Sequence, residues 1–352
     1  MPAIRYYFMP ADGNIPWDNE TKSYMGSITD PWDFVHEDLA EELRTENTDL
    51  LDEVMNILEF EDRASVFEYH DRRSEEDLKA WNDFAKFVSQ CGDMSGDVIV
   101  RKCLDRNASE KYKDIHLTLW SVLNHAREMN AFRHVNTGVS LYRCVNYLPK
   151  KNLSSGAYVI SAKNVGTAPK EFAASGRFNE KGDMMFYGAS SVSVAMAEVD
   201  KKDNNPYTIG AFHTNKRIKV LDLSAVADWK RPSAFDLKQE SIERRESWFF
   251  LQRFIDIISM PVNDRKSSFA KAYYKPIQVF MKYIQRVSGL YGIVYRSTKS
   301  KKNDRYFNYP IDLCYVLFAG HDVCYDAEEW DTKLNKRKGL QLFMEKAWQV
   351  DV

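Results

Sequence analysis

The chain has 352 residues, 44% hydrophobic and 28% charged, an ordinary globular balance that excludes a fibrous repeat or a largely disordered chain and predicts two domains. The first 90 residues hold 22 acidic against 8 basic side chains, a net of −14 within an overall −2, which leaves +12 to the rest and suits an anionic ligand there. No apolar run approaches the roughly 20 residues that span a bilayer, and the N-terminus lacks the basic and apolar regions of a signal peptide, so the expectation is a cytoplasmic protein with no membrane partner.

Residues 1–135 read as a mainly α-helical domain. Asp30-Pro31 gives an N-cap and first helical position ahead of Trp32, Val35, Leu39 and Leu43. Ser74 is the expected cap of a second helix, in which Leu78, Trp81, Phe84 and Val88 recur at helical spacing before Gly92. A third, from His116 to about Met129, is expected to carry Leu117, Trp120 and Leu123.

The texture changes at His134-Val135-Asn136-Thr137-Gly138, a polar segment taken as the domain boundary. Beyond it, strands are expected at Leu141–Val145, Met184–Gly188, Thr208–Phe212, Ile218–Leu223, Gly292–Tyr295 and Leu313–Phe318. Helices are expected at Ser191–Val199, Phe235–Ile258, Phe269–Val287 and Ala327–Trp348, with Pro276 kinking or restarting the third. Residues 136–352 are therefore an α+β domain.

The five cysteines are scattered, with no Cys-x-x-Cys pair and no metal-ligand spacing, and read as reduced structural thiols. No Gly-x-x-x-x-Gly-Lys loop and no Gly-x-Gly-x-x-Gly turn is present, so no cofactor is expected and any dinucleotide would be consumed as substrate.

The chemistry-bearing window runs from Ser175 to Val199. It holds a glycine-turn arginine (Gly176-Arg177-Phe178-Asn179, closed by Gly182), a short strand with Tyr187, and a helix in which Val192, Ala195, Met196 and Val199 form the apolar stripe while Glu198 lies beside it. Two strands add Tyr142-Arg143 and Gly292-Ile293-Val294-Tyr295-Arg296-Ser297. On residue type alone Glu198 is a solvated helix residue, Tyr187 a core aromatic, Ser297 a turn hydroxyl, and the arginines surface ion-pair partners.

In this order, the Tyr-Arg, the Gly-Arg-aromatic-Asn-x-x-Gly turn, the tyrosine ten residues after its arginine, the Ala-x-x-Glu helix and the Gly-Ile-x-Tyr-x-Ser strand resemble the RES family. The one departure is Phe178, where tryptophan is common. The resemblance implies an ADP-ribosyltransferase-like fold with two small sheets around a nucleotide cleft. It also implies a toxin that cleaves the nicotinamide–ribose bond of NAD by hydrolysis or phosphorolysis, with phosphate as a co-substrate in the second case, or transfers ADP-ribose to a macromolecule.

Carried onto this chain, Glu198 stabilises the oxocarbenium character of the transition state. Arg143 and Arg177 hold pyrophosphate or phosphate, with Arg296 as a third candidate. Tyr187 stacks on nicotinamide or hydrogen-bonds ribose, and Ser297 donates to ribose or nicotinamide. Ser190 and Ser191 read as helix caps whose neighbouring amides can meet a phosphate. Asn179 either fixes its turn or touches the ligand, and Gln278 faces the cleft without an assigned role.

The family's usual partner is a helix-turn-helix (Xre-like) antitoxin, and a homo-oligomer is a further expectation. The N-terminal region resembles HEPN-like domains, in which Arg127 and His134 would form a ribonuclease pair. A binding module that senses NAD without consuming it is the remaining alternative. The run Lys299–Arg305 reads as a solvated loop near an anionic cleft.

Overall fold

The computed structural model describes residues 61–146, 160–199, 206–224, 226, 238–259, 268–297, 299, 312–329 and 339–350. The helix expected after Asp30-Pro31 and most of the basic run after Lys299 lie outside them. The chain divides into two compact units, Met1–Lys79 with Pro232–Phe250, and Ala80–Arg231 with Leu251–Val352. In the first, the ion pair between Arg73 and Glu246 spans 3.7 Å. The second holds the sheet and includes residues 80–135.

Among the described residues three helices come first: α1 (Glu61–Gln90), α2 (Gly96–Cys103) and α3 (Glu110–Glu128). Helix α1 does not begin at Ser74 but runs through it. Ser95 caps α2, its hydroxyl accepting from the Val98 amide, while α3 starts a turn and a half before the expected His116. The buried face of α3 includes Ile115, Leu119, Val122 and Ala126, whereas Leu117 is 63% exposed.

Nine strands form one mixed sheet among the described residues, in the order β1-β5-β6-β7-β3-β2-β4-β9-β8. They are β1 (Phe132–Val135), β2 (Leu141–Val145), β3 (Phe186–Ala189), β4 (Tyr207–Thr214), β5 (Ile218–Asp222), β6 (Gly292–Arg296), β7 (Leu313–Leu317), β8 (Cys324–Asp326) and β9 (Leu342–Val350). Only β5/β6 and β8/β9 are parallel. Further helices among the described residues include α4 (Ala162–Val165), α5 (Val192–Glu198), α6 (Gln239–Ser259) and α7 (Ser268–Val287), the last unbroken through Pro276.

Two expectations are corrected here. The helix expected over Ala327–Trp348 starts as expected, residues 327–329 being helical and 330–338 lying outside the described residues, but from Leu342 it is replaced by strand β9, because Leu340, Leu342 and Met344 are buried at period two and β4 supplies an antiparallel partner, Tyr207 opposite Val350 to Thr214 opposite Leu342. The two small sheets are one sheet, because β2 pairs with both β3 and β4. The junction is thin: β2 and β4 match over five pairs, but β2 and β3 only at Tyr142 opposite Ala189. The sheet therefore opens between β2 and β3.

One face carries Leu141, Phe186, Phe212, Val294 and Leu317, which form a continuous buried cluster with Val165 of α4, Phe186 standing edge-on to Phe212 at 5.1 Å between ring centres. Such an aromatic pair contributes about 1 kcal/mol beyond the area it buries. In the same unit, Trp81 packs edge-to-face on Phe84, Phe254 and Phe280. That contact anchors the second half of α1 to α6 and α7.

Candidate active site

A cavity of about 280 Å³ lies where β2 and β3 separate. It is lined by Tyr142, Arg143 and Cys144 of β2, by Tyr187 of β3 and Glu198 of α5, and by Arg177 and Asn179 of the glycine turn. Its volume is at the small end of ligand pockets, which run from about 300 Å³ upward, fitting the reacting end of a dinucleotide better than the whole.

Glu198 is the last residue of α5, whose start is fixed by the Ser191 hydroxyl accepting from the Val194 amide. One turn earlier on the same face Ala195 also lines the cavity, and Glu198 at the helix end sets its carboxylate on the cavity wall. The Ser297 hydroxyl donates to Glu198 Oε1 at 2.6 Å, and the Cys314 thiol donates to the same oxygen at 3.5 Å. Ser297 is thus joined to the carboxylate rather than set on the cavity wall.

Burial, reinforced by the neighbouring Glu198, holds the Cys314 thiol far above its usual range. Burial likewise holds the Tyr295 hydroxyl well above its ordinary value, with Cys314 and Glu198 adding to the effect. Both keep their protons at neutral pH, so Cys314 acts here as a donor and not as a nucleophile. On β2, burial pushes the Cys144 thiol up to about 12 against the pull of Arg143.

Arg177 reaches the cavity from a segment without regular structure, its guanidinium 6.0 Å from the centre of the Tyr274 ring and 5.9 Å from that of Phe178. Two glycines make the turn possible. Gly182 has φ +86°, and a Cβ at Gly176 would lie 2.7 Å from Asn179 Oδ1 and 3.3 Å from the Tyr187 hydroxyl. Those two atoms are bonded to each other, the Tyr187 hydroxyl donating to Asn179 Oδ1 at 2.7 Å. Asn179 Nδ2 donates to the Ala174 carbonyl at 2.7 Å and the Glu180 carbonyl at 3.0 Å, so its side chain is spent on the turn.

Arg143 lines the cavity, but its Nε donates to the Val165 carbonyl at 2.9 Å and its Nη1 to the Tyr187 carbonyl at 3.0 Å. Burial disfavours its charge. These bonds make it a brace between α4, β2 and β3. Ser190 does not line the cavity: its hydroxyl accepts from the Leu313 amide at 3.0 Å and its own amide donates to the Leu313 carbonyl, clamping β3 to β7. Arg296 also lies outside the lining. Gln278, unassigned from sequence, donates to the Gly176 carbonyl at 2.6 Å and the Asn179 carbonyl at 3.1 Å.

Sequence reasoning missed Tyr274, Cys314 and Tyr315 as lining residues. Nothing local marks them: Tyr274 sits on an amphipathic helix, and the other two on a strand that reads as plain core. Arg127 and His134 do not belong to the cavity; Arg127 is exposed, bonded to Asn124 and stacked on Trp120, and His134 is exposed on β1 rather than at a helix end. Among the described residues there is no cluster of three or more metal-ligating side chains, and no helix long and apolar enough to cross a membrane.

No curated protein sequence matches the chain. Among solved structures, a chain of the M. tuberculosis MbcT–MbcA toxin–antitoxin complex matches at 12% identity, covering 64% of this chain and 91% of that one, with a TM-score of 0.29. A likeness that distant carries no argument about the site. The RES domain model, in contrast, matches residues 155–335, about half of the chain, and takes in Arg177, Tyr187, Glu198 and Ser297. With four of the expected residues inside that match and gathered at one opening of the sheet, the chain belongs to the RES family.

Proposed function

We propose that the chain is a toxin-like enzyme that consumes NAD by cleaving its nicotinamide–ribose bond. The observation that carries this reading is the Glu198 carboxylate on the cavity wall, with one oxygen held by Ser297 and Cys314. The fixed oxygen orients the group, and the other oxygen is directed to the sugar.

In this scheme the glycosidic electron pair leaves with the nicotinamide nitrogen, which departs as a neutral molecule, and positive charge builds on the ribose. A preoriented carboxylate stabilises that charge without reorganising. Water then adds at the anomeric carbon and releases one proton, giving ADP-ribose; phosphate adding there instead gives the 1-phosphate. Arg177 holds the pyrophosphate or incoming phosphate by paired hydrogen bonds. The aromatic wall of Tyr187 and Tyr274 takes the nicotinamide and excludes bulk water. NAD is the substrate, and no resident cofactor enters the scheme.

The setting proposed is the cytoplasm, with a helix-turn-helix antitoxin as antagonist, NAD loss as the cause of growth arrest, and self-association left to solution measurement. The test follows NAD by chromatography with purified protein, with and without phosphate, beside Glu198→Ala and Arg177→Ala. Nicotinamide released by the parent and by neither variant supports the reading, and the sugar product names the acceptor. Intact NAD throughout, with ADP-ribose appearing on no macromolecule, removes it.

A further inference from the structure

The segment that carries Arg177 and Asn179, residues 173–185, has no helix or strand of its own. It is held from outside by two helices. From α7, Lys275 pairs with Glu180, Gln278 bonds the Gly176 and Asn179 carbonyls, and Lys282 pairs with Asp183. Spacings of three and four place these three side chains on one helix face. From α2, the Gly96 amide at the helix start donates to both oxygens of Glu180, at 3.0 and 2.9 Å.

Glu180 is the meeting point. Its carboxylate joins the positive end of α2, the ammonium of Lys275 and the catalytic turn, and its own amide donates to Asp183 at 3.0 Å. The Glu180 and Lys275 side chains are 15% and 17% exposed, shielded enough from water that the pair acts as a fixed joint rather than a loose surface contact. Asp97 of α2 pairs in turn with Arg286 of α7, closing the loop between the two helices. The start of α2 comes in close: a Cβ at Gly96 would stand 3.3 Å from the Val279 side chain, a tight contact.

Helix α2 lies before the stretch that matches the family. We infer that Glu180 is a positioning residue and that α2, N-terminal to the matched domain, is a working part of this active site, setting Arg177 and Asn179 through the joint at Gly96 and Lys275. The inference rests on the NAD-consuming reading for its kinetic consequence but not for the joint itself.

The experiment uses the full chain carrying Glu180→Ala, Glu180→Gln and Lys275→Met, with Tm measured for each. Hydrogen–deuterium exchange over residues 173–185 reads the joint, and NAD turnover reads its effect. The expected result for Glu180→Ala is faster exchange confined to that segment and to the start of α2, with kcat/KM lowered about 10- to 100-fold, the scale of a misplaced binding group. Glu180→Gln, which keeps an acceptor for Gly96, falls between Glu180→Ala and the parent. Combined with Arg177→Ala, Glu180→Ala adds little further loss, because both act on one group. Unchanged exchange, parental kcat/KM, or additive losses that track Tm alone overturn the inference. A parent that leaves NAD intact refutes the functional reading instead, and exchange then decides the joint by itself.

Discussion

The hydroxyl of Ser297, at the end of β6, lies 2.6 Å from the carboxylate of Glu198, at the end of α5, across 99 residues of sequence. Glu198→Ala is expected to remove NAD cleavage by about 100-fold or more, the usual loss when a preorganised electrostatic group is deleted. Ser297→Ala keeps the carboxylate but frees its orientation, so a loss of about 10-fold in kcat is expected with little change in KM. Ser297→Thr, which restores a hydroxyl, recovers part of it. Steady-state kinetics on the three variants check the order, and a Ser297→Ala enzyme as inactive as Glu198→Ala contradicts the supporting role given to Ser297.

The two cavity arginines are expected to fail in different ways. Arg143 braces the Val165 and Tyr187 carbonyls, a forked arrangement that lysine cannot reproduce, so Arg143→Lys lowers Tm by several degrees along with activity. Arg177→Lys keeps a charge at the mouth of the cavity, and its expected effect is a raised KM at nearly parental Tm. Thermal melts beside KM measurements separate the two, and equal Tm losses would contradict the assignment.

Asn179 and Tyr187 share one hydrogen bond but are not equivalent. Tyr187→Phe loses that bond alone, whereas Asn179→Ala also leaves the Ala174 and Glu180 carbonyls without their side-chain donor. At about 1 kcal/mol for each buried bond, Asn179→Ala is expected to cost about 2 to 3 kcal/mol and Tyr187→Phe about 1. Urea unfolding of both variants gives the comparison, and a larger cost for Tyr187→Phe contradicts it.

Alkaline pH is expected to weaken the fold. Burial pushes the Cys103 and Cys144 thiols from 9.0 up to about 12, and the Tyr315 hydroxyl from 10.0 up to about 12. A raised folded-state value leaves stability intact below the unfolded value, and it is lost as pH climbs because unfolding then releases a proton the fold retains. Tm is expected to be flat up to about pH 9 and to fall above it toward about 12. In native alkylation Cys91, the one cysteine that is not buried, reacts first. A flat Tm across this window, or modification of Cys144 before Cys91, contradicts the burial argument.

Six strands were readable from sequence because each is a short apolar run bounded by turn residues: β2 at Leu141–Val145 coincides with its expected range, and β3 to β7 differ only at their ends. The strands missed are those whose reason lies elsewhere. Strand β1, Phe132-Arg133-His134-Val135, is a charged edge that forms because β5 offers it a partner, and β9 was hidden by helix-forming residues until β4 determined its conformation. At the site, Glu198, Arg177 and Tyr187 were legible as chemistry, and their place at one cavity follows from the topology. The roles of Asn179, Arg143 and Ser190 shifted toward holding backbone, because a residue type states what it can bind but not which carbonyl or amide stands beside it. The joint at Glu180 was beyond reach: its partners are 84 and 95 residues away.

The single matched pair between β2 and β3 has an architectural consequence. Where the next backbone rungs of that ladder would stand, a guanidinium from β2 reaches the Tyr187 carbonyl of β3 instead, so a side chain substitutes for peptide hydrogen bonds the sheet forgoes. The gap is therefore written into the fold before any ligand arrives. Completing the ladder would strengthen the sheet and abolish the cleft; cohesion and catalysis compete for the same few ångströms of backbone.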